Sequence, residues 1–114
     1  MKNLIIILFV IFAFIQTGKA SESDTIKIQT KTYCDHCKKC GSCWPKMENR
    51  LQFTPGVKSV SFDEKTMAIT VIYNPKKTTP EKIRTIISKS GFDADNVKAD
   101  VEAQGKLDDC CRKQ

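Results

Sequence analysis

Four cysteines stand within ten residues of this chain, and their spacing constrains the fold more than any other feature. Cys34, Cys37, Cys40 and Cys43 are separated by two residues each, which makes three overlapping C-x-x-C units. This spacing lets neighbouring thiolates converge on one metal ion from a loop and the first turn of a helix. Sulfur donors favour Cu(I), Hg(II) or Zn(II) over calcium and magnesium, which prefer oxygen. We therefore predict these four cysteines as metal ligands.

Other uses of the cysteines stay open from the residues alone. The total of six is an even number, which also permits a disulfide framework, and Cys110 and Cys111 could bridge back to the loop or join a metal site. An iron–sulfur site fits less well, because the last gap is one residue shorter than in bacterial ferredoxins. The segment from Cys40 to Cys43 has the composition of a dithiol oxidoreductase site. His36, the only histidine, is a candidate fifth ligand or simply a solvated side chain.

The first twenty residues have the pattern of a secretory signal peptide. Lys2 supplies a positive start, and residues 4–15 are an uninterrupted apolar run. Twelve helical residues rise only about 18 Å, whereas a bilayer core is about 30 Å thick. Small residues follow at Gly18 and Ala20. We expect cleavage after Ala20, an exported protein in an oxidising compartment, and no membrane attachment after cleavage.

Four segments have the residue types of β-strands. Residues 25–30 alternate apolar and polar side chains, which predicts a strand with one buried face. Residues 57–62 and 67–73 are rich in β-branched and aromatic residues and predict an antiparallel hairpin. Residues 92–99 predict a short last strand, although they include three poor strand formers.

Two segments have helical spacing. The first begins near Pro45 and runs to about Phe53, with an apolar stripe of Trp44, Met47 and Leu51. Cys43 then lies at the helix N-terminus, where the positive end of the dipole favours thiolate over thiol. The second helix has Thr79 as its N-cap and ends at Gly91.

The element order β-α-β-β-α-β predicts an α+β fold. Two split βαβ halves make a ferredoxin-like sandwich with a four-stranded antiparallel sheet and both helices on one face. The predicted core lies between sheet and helices and consists of Ile26, Ile28, Leu51, Val60, Phe62, Ile69, Val71, Ile83, Ile86 and Ile87.

Charge and motifs exclude several function classes. Lys and Arg total 19 against 13 Asp and Glu, and loss of the leader lowers the net charge of +6 by two. The basic residues are interleaved with acids, which argues against nucleic-acid binding. The sequence contains no Ser-His-Asp set, phosphate loop or paired-carboxylate site, and we expect no enzymatic activity.

These patterns together resemble the heavy-metal-associated domain family. The resemblance depends on Cys40-Gly-Ser-Cys43 at the start of the first helix, on Gly56-Val57 thirteen residues later, on the hairpin, and on Tyr73-Asn74-Pro75 before the second helix. It implies a heavy-metal-associated domain over residues 21–100, after the leader at 1–20 and before a C-terminal tail at 101–114 that carries Cys110 and Cys111. Exported mercury-binding proteins and copper carriers are the most similar members.

The resemblance also implies a function. Family members bind one soft ion through two loop cysteines and pass it on by ligand exchange, a role that carries over to Cys40 and Cys43. The chain departs from the family as though six residues had been inserted: Cys34 and Cys37 keep the usual distance from the first strand, and Cys40 and Cys43 keep it from the first helix. The extra thiols imply tighter binding, or more than one ion.

The expected partner is a metal-transporting membrane protein or another metal-binding domain. The expected cargo is Cu(I) or Hg(II), with Zn(II) as a further candidate. The rival hypothesis is an exported thiol–disulfide oxidoreductase that uses Cys40 and Cys43. A disulfide-stapled binding module is the third hypothesis, and it predicts no free thiols.

Overall fold

The computed structural model describes residues 22–34, 38–41 and 43–112. The predicted signal peptide therefore lies outside the described residues, as do the predicted ligand Cys37 and the candidate ligand His36. Within the described part of the chain, no helix combines the length and the apolar character needed to cross a membrane.

Three antiparallel strands form the sheet. Strand β1 spans Asp24–Gln29, β2 spans Val57–Asp63 and β3 spans Ala68–Tyr73, and β3 lies in the middle of the order β1-β3-β2. Ile69 of β3 is aligned with Ile28 of β1 on one side and with Phe62 of β2 on the other. All three side chains are buried, so the register places one apolar row across the sheet.

Two helices follow the predicted boundaries. Helix α1 spans Trp44–Gln52 and packs against β2, while α2 spans Pro80–Lys89 and packs against α1. The Thr79 hydroxyl accepts a hydrogen bond from the Lys82 N–H at 3.3 Å, which confirms Thr79 as the N-cap of α2. The α+β class and the hairpin are confirmed with these helices.

The predicted fourth strand is not formed within the described residues. Residues 92–99 contain a single isolated bridge between Ala94 and Val97, closed by a tight turn in which Asp95 has a φ of 53°. The Asp95 N–H donates to the Gln29 carbonyl, and the Asp95 carboxylate accepts from the Gln29 N–H, both at 2.8 Å. Asp95 thus pairs with Gln29, the last residue of β1. Its carboxylate accepts the hydrogen bond that the backbone carbonyl of a fourth strand would otherwise accept.

The C-terminal segment adds a third helix that the sequence reasoning missed. Helix α3 spans Val101–Gly105, and a 3₁₀ turn spans Asp109–Cys111. Asp100 caps α3 by accepting from the Ala103 N–H at 2.9 Å. The segment packs against the domain, because Leu107 and Cys111 belong to its buried core.

The core contains all ten predicted positions, either buried or packed against the buried cluster. Ile26, Val60 and Ile86 are only partly buried. The cluster extends further than predicted, because it also includes Cys43, Trp44, Met47, Tyr73, Phe92, Ala94, Leu107 and Cys111. Trp44 stacks on Phe62 with ring centroids 5.1 Å apart, which attaches the start of α1 to the sheet.

Gly91 allows α3 to lie close to the end of α2. Its φ is +97°, and a Cβ there would lie 3.1 Å from the Gln104 backbone and 3.1 Å from a Leu107 methyl carbon. We predict that Gly91→Ala destabilises the protein by about 2 kcal/mol, because alanine is strained at positive φ and displaces α3. Urea unfolding measures the effect.

Gly105→Ala is the matched control. It lies on α3, a Cβ at this position would meet no atom within 4 Å, and alanine favours helix. The control is expected to be neutral or slightly stabilising. Equal losses of stability in the two variants would contradict the close approach at Gly91.

Candidate metal centre

The cysteine loop connects the end of β1 to the start of α1. Cys43 is the N-cap residue of α1, and its carbonyl accepts from the Met47 N–H at 3.2 Å. The Cys43 N–H in turn donates to the Cys40 carbonyl at 3.2 Å, which closes a turn and brings the two cysteines together. The unpaired N–H groups at the start of α1 favour a negatively charged sulfur there.

The β2–β3 turn contacts the cysteine loop at two places, one before Cys34 and one between Cys37 and Cys40. The Thr30 N–H donates to the Met67 carbonyl at 2.9 Å, and the Thr32 hydroxyl contacts the Met67 sulfur at 3.2 Å. The Lys38 N–H donates to the Glu64 carboxylate at 2.9 Å. The sequence placed Met67 in a strand and Glu64 in a turn but did not link either residue to the cysteine loop, because all three contacts cross more than 25 residues of chain.

The turn itself is braced by Asp63. Its carboxylate accepts from the N–H groups of Lys65 and Thr66 at 2.9 and 3.4 Å. These hydrogen bonds, first that of Lys65, hold the pKa of Asp63 below its usual value. The charged form of Asp63 is therefore the one that supports the turn at neutral pH.

Four cysteine sulfurs lie close together at the start of α1. The Sγ atoms of Cys34, Cys40, Cys43 and Cys111 all lie within 4.8 Å of one another. Three of these cysteines were predicted as ligands from the sequence, while the fourth comes from the C-terminal segment. Cys43 and Cys111 are fully buried, and Cys34 and Cys40 are half-buried.

Two of the four sulfurs are joined. Cys43 and Cys111 form a disulfide across 68 residues. The Cys40 sulfur lies 3.2 Å from that of Cys111 and 3.8 Å from that of Cys110.

Cys110 remains an exposed thiol, so a framework with every cysteine oxidised does not describe this structure. The rival redox site paired Cys40 with Cys43, whereas the bonded partner of Cys43 here is Cys111.

The C-terminal segment is held where Cys111 can reach the loop. The Leu107 side chain is buried, the Arg112 side chain donates to the Leu107 carbonyl at 2.8 Å, and the Cys111 N–H donates to the Asp108 carbonyl at 2.8 Å. Asp108 also places a carboxylate oxygen 3.8 Å from the Cys40 sulfur. Leu107, the only leucine of the tail at 101–114, stands four residues before Cys111 and is the sequence signal for this docking.

Crowding of the sulfurs affects their protonation. The pKa of Cys110 is raised to about 11, first by the hydrogen bond with Cys40 and then by partial desolvation and by Cys34. A negative charge on one thiol of such a group is disfavoured by its neighbours. A bound cation reverses this preference, because it requires thiolates and releases their protons.

The cluster has the chemistry of a soft-metal site. Its four converging donors are all sulfur, which suits Cu(I), Zn(II) and related thiophilic ions. Calcium and magnesium require oxygen ligands instead. In the disulfide form, two of the four sulfurs are not available as thiolates, and the full donor set exists only after reduction.

Comparison with known proteins gives a consistent result. The family model of the heavy-metal-associated domain matches residues 31–93, more than half of the chain. Copper-transporting ATPase 1 of Rattus norvegicus is 38% identical over 55 residues, which make up 48% of this chain and 4% of the ATPase. The chain therefore matches one small part of that much longer protein.

Two solved structures have the same fold. Oxidized MerP from Ralstonia metallidurans CH34 aligns with a TM-score of 0.54 and 16% identity, over 64% of this chain and 94% of MerP. The water-soluble region of the P-type ATPase CopA from Bacillus subtilis aligns with a TM-score of 0.54 and 28% identity, over 65% of this chain and 46% of that region. Both alignments cover about two thirds of the present chain.

The disulfide predicts a large effect of reductant on stability. Joining residues 68 positions apart restricts the unfolded chain, so reduction is expected to lower the free energy of unfolding by about 4 kcal/mol. Urea unfolding of the metal-free protein, with and without a dithiol reductant and in the presence of a chelator, measures the difference. Cys110→Ser is the matched control, because it should retain the full effect. An unchanged midpoint on reduction of the wild-type protein would contradict the pairing.

Proposed function

The chain belongs to the heavy-metal-associated domain family, and we propose that it is an exported, non-enzymatic protein that binds a soft metal ion. The proposed cargo is Cu(I) or Hg(II), and the loop cysteines Cys34, Cys37, Cys40 and Cys43 are the candidate ligands, among which the ion binds those whose sulfurs converge. The observation that carries the proposal is the convergence of Cys34, Cys40 and Cys43, whose sulfur atoms lie within one ion's reach of each other.

The position of the loop supports metal binding. Cys43 stands at the N-terminus of α1, where the helix dipole stabilises a thiolate, and Cys40 is held beside it by the turn hydrogen bond. The Trp44–Phe62 stack keeps the start of this helix on the sheet. The sulfurs of Cys34, Cys40 and Cys43 already lie close together before an ion binds, which lowers the cost of binding.

Transfer of the ion to another protein follows from its ligand chemistry. A two- or three-coordinate thiolate site leaves a position at which a partner's thiolate attacks before the first ligand leaves. The matched relative is named as a copper-transporting ATPase. We propose a metal-transporting membrane protein, or another metal-binding domain, as the partner that gives or receives the ion.

Export is part of the proposal. Residues 1–20 have the charge, length and small-residue pattern of a signal peptide, and an oxidising compartment suits a chain with six cysteines. We place the protein in the periplasm or outside the cell.

An anaerobic metal titration tests the proposal. The reduced protein is titrated with Cu(I), Hg(II) and Zn(II), while thiolate-to-metal absorption reports binding and native mass spectrometry counts the ions. We expect stoichiometric uptake, with Cu(I) and Hg(II) bound more tightly than Zn(II). Cys40→Ser/Cys43→Ser should weaken binding at least about a hundredfold, because it removes two of the sulfur donors.

The control and the rival hypothesis complete the test. Cys110→Ser removes an exposed thiol outside the converging four, and its hydroxyl can keep the contact with Cys40, so it should lower affinity far less than Cys40→Ser/Cys43→Ser does. No uptake beyond that of the urea-unfolded protein would refute metal binding. Insulin reduction at a rate typical of thiol–disulfide oxidoreductases, without metal uptake, would instead favour the redox rival.

A further inference from the structure

We infer that the C-terminal segment is part of the metal site and that Cys111 is a metal ligand, an inference that rests on the proposed function. In the reduced protein, Cys34, Cys40, Cys43 and Cys111 close as a four-sulfur site around one thiophilic cation. Cys111 thus takes the fourth position, which the loop spacing alone assigns to Cys37. A four-sulfur site retains its ion more firmly than a two-cysteine carrier, so transfer to a partner requires one of the four sulfurs to leave the ion first.

The distances between the sulfurs carry the inference. A tetrahedral ion with metal–sulfur bonds of about 2.3 Å requires sulfurs about 3.8 Å apart. The four Sγ atoms lie within 4.8 Å of one another, and those of Cys40 and Cys111 are 3.2 Å apart. Small rotations of the side chains therefore suffice to place all four sulfurs around one ion.

Cys111 is held by packing contacts in addition to its disulfide. Leu107, four residues before it, is buried in the domain core, and Gly91 allows this segment to approach the end of α2 closely. The Cys111 side chain is fully buried within the same core, whereas the adjacent Cys110 is exposed. The two neighbouring cysteines therefore have different roles, and only Cys111 belongs to the converging four.

The disulfide and the four-sulfur site exclude each other. Reduction of the Cys43–Cys111 bond by a dithiol takes two electrons and two protons and yields two thiols, while the dithiol becomes a disulfide. The thiols then release their protons as they bind the ion. The oxidised protein lacks two of the four donors, so the four-sulfur site exists only while the Cys43–Cys111 bond is reduced.

A variant that retains only the four converging cysteines tests the inference directly. Cys37→Ser/Cys110→Ser in the full chain removes the other two sulfurs. We titrate this reduced variant with Cd(II), a soft cation that accepts four thiolates, follow charge-transfer absorption, and count sulfur neighbours by X-ray absorption. The expected result is one Cd(II) per chain with four sulfur neighbours, and no such complex in the oxidised variant.

The matched variant adds Cys111→Ala to the same background. It should leave three sulfur neighbours and weaken Cd(II) binding at least about a hundredfold. Four sulfur neighbours only with Cys37 present, or unchanged affinity without Cys111, would overturn the inference. Both outcomes leave the proposed function intact provided that the wild-type protein takes up Cu(I) or Hg(II), whereas absence of that uptake would refute the proposed function itself.

Alkylation of the wild-type protein gives a second readout that does not depend on the folding of a variant. Bound Cd(II) should slow the modification of Cys111 in the reduced protein at least about tenfold and should leave exposed Cys110 much less protected. Equal reactivity of Cys111 with and without Cd(II) would exclude it as a ligand.

Discussion

The contact between Cys43 and Cys111 is the interaction on which the rest of the site depends. Cys43 is at once the N-cap of α1, the hydrogen-bond partner of Cys40 and the bonded partner of the C-terminal segment. Both cysteines are fully buried. The backbone of Cys43 thus joins the loop to the start of α1, while its sulfur joins both to the tail. That sulfur is also a proposed metal ligand, so metal binding, oxidation state and tertiary packing are coupled at one residue.

The sheet and helix α1 support this contact through packing and hydrogen bonds. The three-stranded sheet supplies an apolar row that includes Ile28 and Ile69, and α1 rests on this sheet through Trp44 and Phe62. The β2–β3 turn reaches across to the loop, where Glu64 accepts the Lys38 N–H. The loop is thus tied to the hairpin on one side and to α1 on the other. This arrangement favours a small set of sulfur positions and lowers the entropy cost of binding an ion.

Local patterns in the sequence were sufficient for most of the elements. Thr79 predicted the start of α2 because an N-cap acts within three residues, and the stripe containing Met47 predicted α1 because its period is set by helix geometry. The same reasoning failed at residues 92–99, where the Asp95 side chain bonds to β1 and the backbone turns through positive φ. Helix α3 was also missed, since Val101–Gly105 is short and has no buried residue of its own.

The sequence by itself determined that Cys40 and Cys43 meet at the start of a helix, because turn geometry brings thiols three residues apart together whatever the rest of the fold. It also determined the softness of the donors, which is a property of sulfur. Only the tertiary structure decided that Cys111 joins Cys34, Cys40 and Cys43, and that Cys110 does not. That choice depends on the burial of Leu107 and the close approach at Gly91, contacts between segments far apart in the chain. A local sequence pattern does not predict these contacts, because they form only when the C-terminal segment packs against the folded core.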